Sequence, residues 1–169
     1  MILYTWDLSS TRSLNQLNQL PSWSRFFGVV SRLGDGVFWY VLAAIIALAD
    51  GLAGIWASFI MLTAGLCCTL IYKSIKHLTA RPRPCSICSE VLVTTAPLDT
   101  FSFPSGHTLH AVCFTLVATA YVGWLALLLW PFTVLVALSR LVLGLHYPSD
   151  VLVGACIGAA VASLAIPLL

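Results

Sequence analysis

Charge is what this sequence has least of. Only 8% of its 169 residues are charged, where a soluble domain carries about 25%. The apolar share is 60% and the mean hydropathy is +0.98. A water-soluble protein of this length could not hide that much apolar surface, so a soluble globular fold is excluded and the chain reads as a helical integral membrane protein. A net charge of only +2 argues against nucleic acid as a partner. The few carboxylates form no cluster that would hold Mg²⁺, so no metal and no other cofactor is expected. No basic segment precedes the first apolar run and no small-residue cleavage site follows it, so no removable signal peptide is expected. Internal repeats and low-complexity tracts are absent as well.

Cysteine is not scarce. Four of the six, Cys67, Cys68, Cys113 and Cys156, lie in apolar runs and read as small hydrophobes. Cys85-x-x-Cys88 stands alone in a polar stretch, and a disulfide, a weak metal site or two free thiols all fit it. The lack of a second Cys or His pair argues against structural zinc.

What the chain does have is long apolar runs. Residues 36–49 form a short one, about 20 Å long as a helix. Asp50-Gly51 reads as a tight reversal, and residues 52–72 then make a full-length span. Residues 73–103 are the long polar connection and hold four of the eight basic residues. Three further spans follow: 108–123, 124–143 with Pro131 inside it, and 151–169. In the last of these Gly154, Gly158 and Ala162 recur every fourth residue, a smooth stripe suited to close helix contact. Residues 1–35 are mixed. Trp23, Phe26, Phe27 and Val30 recur at helical spacing, which fits a helix in the membrane interface or one packed on the bundle. The expected architecture is all-α: a polytopic transmembrane bundle of about five spans, residues 36–169, preceded by an N-terminal interfacial segment, residues 1–35.

Five spans impose a topology. The 73–103 connection, the start of the third span, the end of the fourth and the start of the fifth fall on one side of the membrane. Lys76, Arg83, Ser105, Gly106, His107, Arg140, His146 and Asp150 gather there, and polar residues collected at span ends are a functional site by default. Phe101-Ser102-Phe103-Pro104-Ser105-Gly106-His107-Thr108 is the turn on which the site is organised. Pro104 disfavours helix at Phe103, Ser105 can cap a helix start, and Gly106 leaves the first-turn N–H groups open to an anion.

These residue types suit phosphoryl transfer. Lys76, Arg83 and Arg140 supply positive charge for the phosphoryl oxygens, and the two arginines can grip two oxygens each. Ser105 and the N–H groups at Gly106 and His107 add donors. Asp150 can accept a hydrogen bond from one ring nitrogen of His146 and leave the other free to attack phosphorus, while His107 serves as general acid on the leaving oxygen. Residues nearby have blander roles. His110, one turn from His107, reads as packing or support, and His77, Lys73 and Arg81 as loop or headgroup contacts. Glu90 and Asp99 read as solvated loop charges, and Tyr147-Pro148 sets the angle at which the fifth span leaves the loop.

Lys76-x6-Arg83-Pro84, Pro104-Ser105-Gly106-His107 and Ser139-Arg140-x5-His146-x3-Asp150, in that order, resemble the signature of the type 2 phosphatidic acid phosphatase superfamily, which also includes the vanadium haloperoxidases. The resemblance covers residues 76–150. It implies a phosphohistidine intermediate at His146 that water then hydrolyses, with the basic residues taking the place of a metal. It implies a membrane lipid phosphate as substrate, foremost a polyprenyl diphosphate such as undecaprenyl diphosphate. Phosphatidic acid or phosphatidylglycerol phosphate is the alternative, and a lipid-phosphate binder or transporter the non-enzymatic one. Membrane members of the family commonly have six spans, one more than counted here. The resemblance places the chain in a bacterial inner membrane. All eight Lys and Arg residues fall on the side of the site, and this bias points to a cytoplasm-facing site.

Overall fold

The computed structural model describes residues 2–169, with side chains from residue 5 onward. The fold is all-helical among the described residues, with eight α-helices: α1 (Ile2–Asn15), α2 (Pro21–Leu33), α3 (Val37–Ala49), α4 (Gly51–Thr79), α5 (Pro84–Ile87), α6 (Gly106–Tyr121), α7 (Ala126–Val142) and α8 (Pro148–Ala165). Short 3₁₀ turns join α1 to α2, lead into α7 and close the chain.

The spans predicted from hydropathy appear as α3, α4, α6, α7 and α8, but not all have crossing length. Three segments, Gly51–Ile87, Gly123–Val142 and Pro148–Leu168, are long and apolar enough to cross a membrane. The pair α2 and α3, bent by 47° at the break between them, makes a fourth if it is one span. The count is therefore three to four by length, against about five expected. The difference has two sources: α3, with 13 residues, reaches crossing length only together with α2, and α6 has only 16 residues.

α6 is the hub and packs against α4, α7 and α8. Most of its length is buried, including Leu109, Ala111, Cys113, Phe114, Val117 and Ala118. The α6–α8 seam depends on the small-residue stripe. A Cβ on Gly154 would stand 2.6 Å from the Ser105 carbonyl oxygen, and one on Gly158 would stand 2.3 Å from that of Leu109. No side chain fits at either distance, so the glycines set how closely the two backbones approach. Gly65 does the same on α4, where an added Cβ would meet the Phe114 ring at 2.4 Å. Trp39 is fully enclosed between Phe114 and Phe132, with ring centroids 5.5 and 5.6 Å away, and ties α3 to α6 and α7.

The local signals behave as the sequence chemistry dictates. Asp50 separates α3 from α4, and Gly51 takes a φ of +53° there. Pro131 sits inside α7, which continues through it. Pro148 opens α8, and the Asp150 side chain accepts from the Tyr147 N–H at 2.9 Å, which fixes that start.

Candidate active site

Three stretches of chain converge at one end of the bundle, each held there by its own local chemistry. α4 stops at Thr79, where Ala80 turns left-handed and returns its N–H to the Lys76 carbonyl at 2.9 Å. Pro82 and Pro84 then forbid helix through Arg81 and Arg83. This extended run carries Arg83 inward until it is only 4% exposed. The second stretch is the start of α6. The Ser105 N–H donates to the Asp150 carbonyl oxygen at 3.0 Å, which fastens this turn to the start of α8. The third is the α7–α8 turn. Gly144 adopts a φ of +69° there, and an added Cβ would lie 2.4 Å from Val91, so only glycine fits. The turn brings the Leu145 and His146 N–H groups back onto the Arg140 carbonyl, each at 3.1 Å.

The three enclose a cavity of about 600 Å³. Six of the eight expected site residues line it: Lys76, Arg83, Gly106, His107, Arg140 and His146. The other two stand behind the wall. The Ser105 hydroxyl is fully buried 3.0 Å from the Thr108 hydroxyl and makes no capping bond, so it turns away from the cavity. Asp150, also fully buried, lies behind His146.

His146 is 2% exposed. Its Nε2 lies 3.3 Å from Arg83 Nη1, and its Nδ1 lies 3.5 Å from Asp150 Oδ2. An arginine N–H can only donate, so Nε2 is the acceptor and the ring proton is on Nδ1, facing Asp150. The Nδ1–Asp150 separation is beyond a good hydrogen bond. Asp150 is held off by stronger partners, with the Tyr147 N–H at 2.9 Å on Oδ2 and Arg81 Nη1 at 2.7 Å on Oδ1. Burial pushes the His146 pKa well below its ordinary value, and the nearby charges of Arg140, Arg83 and Lys76 push the same way. The imidazole is therefore neutral, and its Nε2 lone pair faces the Arg83 N–H.

The cations have internal partners. Lys76 Nζ donates to Asp99 Oδ1 at 3.1 Å and to the Phe101 carbonyl at 2.6 Å. Arg83 donates to the Asp99 side chain, to the Asp99 carbonyl at 3.0 Å and to the Leu145 carbonyl at 2.6 Å. Asp99 is thus no solvated loop charge. Burial alone would raise its pKa, but Lys76 and Arg83 outweigh that and hold it below the ordinary carboxylate range. Arg140 is 2% exposed; its Nη1 donates to Ser31 Oγ, while its Nε has no protein partner. A buried, unpartnered guanidinium N–H beside a cavity is what an anion site requires.

Four residues in the site carried no sequence signal for it. Arg81 is not a headgroup contact. It bridges Asp7 Oδ2 at 2.8 Å, Ser149 Oγ at 2.8 Å and Asp150, and its guanidinium lies 4.0 Å from the centre of the Tyr147 ring. Asp7, fully buried on α1, also accepts from the Ser149 N–H at 3.0 Å. Ser31 and Asp35 arrive from the far end of α2, and Asp35 Oδ1 meets His107 Nε2. His110, expected as support, bonds the Gly106 carbonyl at 2.8 Å and the Gly65 carbonyl at 3.1 Å. Glu90 is the solvated charge expected, 71% exposed and 3.5 Å from Arg12.

Comparison with known proteins gives this geometry its context. Residues 53–169 match the profile of the PAP2 superfamily. Over 91 residues the chain is 40% identical to decaprenylphosphoryl-5-phosphoribose phosphatase of Mycobacterium tuberculosis, in two strains, a match covering 53% of this chain and 49% of the relative. The chain thus matches about half the length of these relatives. Among solved structures, Aquifex aeolicus LpxE superposes with a TM-score of 0.82 at 26% identity, covering 95% of this chain and 94% of that one. A transmembrane PAP2-type phosphatidylglycerolphosphate phosphatase from Bacillus subtilis superposes with a TM-score of 0.80 at 23% identity, covering 97% and 84%. The helical end that gathers Lys76, Arg83, His107, Arg140 and His146 lies within the matched region, and the chain belongs to the PAP2 superfamily of multi-pass membrane proteins.

Proposed function

We propose that this protein is a metal-independent phosphatase acting on a polyprenyl-linked phosphate or diphosphate through a phosphohistidine at His146. The observation that carries this is the neutral His146 imidazole, whose Nε2 faces a cavity that His107 also lines and has Arg83 as its partner; Arg83 releases Nε2 when it turns to the phosphoryl oxygens. His146 Nε2 attacks phosphorus, the phosphoryl oxygens rest on Lys76, Arg83, Arg140 and the N–H groups at Gly106 and His107, and His107 protonates the departing oxygen. Arg83 fixes the resting tautomer of His146, and Asp150 faces the Nδ1 proton from 3.5 Å. Water then cleaves the P–N bond and releases inorganic phosphate. The substrate phosphate competes with the Asp99 carboxylate for Lys76 and Arg83.

Two things favour a long-chain lipid. Tyr40, Tyr72, Leu98 and Phe101 give the cavity an apolar wall beside the polar end. The relative from M. tuberculosis is named for a decaprenyl-linked sugar phosphate. A polyprenyl diphosphate and a polyprenylphosphoryl sugar phosphate share the terminal phosphate the site would grip. Phosphatidic acid and phosphatidylglycerol phosphate remain the alternative substrates. The charge bias favours a site at the cytoplasmic face of a bacterial inner membrane.

The test is phosphate release by purified protein on a panel: farnesyl monophosphate, farnesyl diphosphate, undecaprenyl diphosphate, a polyprenylphosphoryl sugar phosphate and phosphatidic acid, each with and without EDTA. Turnover of polyprenyl substrates unaffected by EDTA is expected. Binding without phosphate release would leave a carrier, and activity lost to EDTA and restored by Mg²⁺ would overturn the metal-free mechanism.

A further inference from the structure

We propose that Asp35 is the positioning residue of the general acid: it holds His107 by Nε2 so that the Nδ1–H is the proton delivered to the leaving oxygen. This rests on the phosphatase function proposed above and adds to it a residue outside the stretch that matches the family.

The link between α2 and α3 is Gly34-Asp35-Gly36. Gly36 takes a φ of +124°, a conformation side chains rarely adopt. An added Cβ on Gly34 would stand 3.1 Å from Val136 of α7, so this glycine lets the link run close against that helix. The two glycines and the 47° break bring a carboxylate to the cavity wall, where Gly34, Asp35 and Gly36 all line it. One turn earlier on the same face, Ser31 accepts from Arg140. The end of α2 therefore touches both the general acid and a phosphate-binding arginine.

The chemistry follows from counting N–H groups. A phosphate ester that enters as its monoanion can pass its acidic proton to Nδ1, and the imidazolium so formed has two. Asp35 takes the one on Nε2, which leaves Nδ1–H for the substrate. As the bond from His146 Nε2 to phosphorus forms and the bond to the leaving oxygen breaks, that oxygen takes the Nδ1 proton. His107 is then neutral and still anchored by Nε2–H. In the second half, the attacking water gives a proton back to Nδ1 as the P–N bond breaks, so His107 ends as it began. The carboxylate stabilises the imidazolium and fixes its tautomer without itself being protonated, the role of the aspartate in a Ser-His-Asp triad. The site then has an Asp–His pair on each side of the phosphorus: Asp150–His146 for the nucleophile and Asp35–His107 for the acid.

The test compares two leaving groups on one tail. Farnesyl monophosphate must expel an alkoxide, which needs a proton. Farnesyl diphosphate expels a phosphate, which hardly does. With the full chain in detergent, Asp35→Asn is expected to lower kcat on the monophosphate about tenfold or more, with a clearly smaller loss on the diphosphate and little change in KM. Asp35→Glu should recover part of the loss, and a melting curve separates both effects from unfolding. Equal losses on both substrates, or an effect confined to KM, would make Asp35 a structural contact and overturn the proposal. If the wild type turns over only one of the two, an Asp35→Asn loss below about threefold on the monophosphate, or above about tenfold on the diphosphate, overturns it equally. A wild type inactive on both while His146→Ala binds them normally would remove the phosphatase function, and the role of Asp35 with it.

Discussion

The two imidazoles of the site are held in opposite ways. His146 sits in a rigid turn at 2% exposure, pinned through Arg140 and Gly144 and backed by a carboxylate that Arg81 and a backbone N–H keep in place. His107 sits on the first turn of α6, and its carboxylate comes from a bend between two helices, with Asp35 still 32% exposed. One pair is built into the turn between α7 and α8; the other closes across the cavity from the α2–α3 side. In the proposed mechanism the nucleophile presents one lone pair at a fixed place, which suits a dry, over-determined setting. The proposed acid gives up and regains a proton within each cycle, which suits a partner on a more exposed wall.

The largest effect should come from breaking the rigid side at its centre. His146→Ala is expected to lower kcat by about 10³-fold or more while the protein still folds. Normal phosphate release from that variant would end the phosphohistidine mechanism. Removing the support behind it comes next. Arg81→Ala leaves Asp7 and Asp150 without their shared cation and should let His146 drift. A kcat loss of about 10- to 100-fold is expected together with a lower Tm, whereas unchanged kcat at lower Tm would make Arg81 purely structural. The smallest effect is a linkage. His146 titrates below its ordinary value in the folded state, so its contribution to stability is complete above about pH 6.5 and is lost as the unfolded imidazole takes up protons below it. The wild type should therefore lose up to about 1.4 kcal/mol per pH unit relative to His146→Gln on acidification below pH 6.5. Parallel Tm curves for the two proteins would show that the folded imidazole titrates normally.

The rigid side was largely legible in the sequence. Its residues lie in short segments with local grammar: Pro-Ser-Gly-His at a helix start, Arg140, His146 and Asp150 around one turn, Pro148 at N1. Gly154 and Gly158 announced the seam. The yielding side was not legible. Nothing local links Asp35 to His107, 72 positions away in the chain, or Ser31 to Arg140, 109 away. Asp7 reads as one acid in a mixed helix. Asp99 looked like a loop charge because the two cations that hold it, Lys76 on α4 and Arg83 in the run after it, lie 23 and 16 positions earlier in the chain. The Gly-Asp-Gly link at 34–36 was the one available hint, since paired glycines around a carboxylate mark a place where backbone must bend and approach something. The extent of the first span was hidden for a related reason: α3 is too short to cross alone, and only the structure shows α2 running into it across a 47° bend.

The glycine seam makes the start of α8 and the first turn of α6 move as one piece, since Ser105 is bonded to Asp150 and its carbonyl rests on Gly154. The bend at Gly36 has only local backbone bonds, and Asp35 beside it is 32% exposed. A bulky headgroup would therefore make room for itself by levering the α2–α3 arm outward, leaving the floor undisturbed, and the arm's return would set the Asp35 carboxylate back against His107. Tolerance for different headgroups would then be a mechanical property of a three-residue elbow, tunable without touching any group that meets phosphorus.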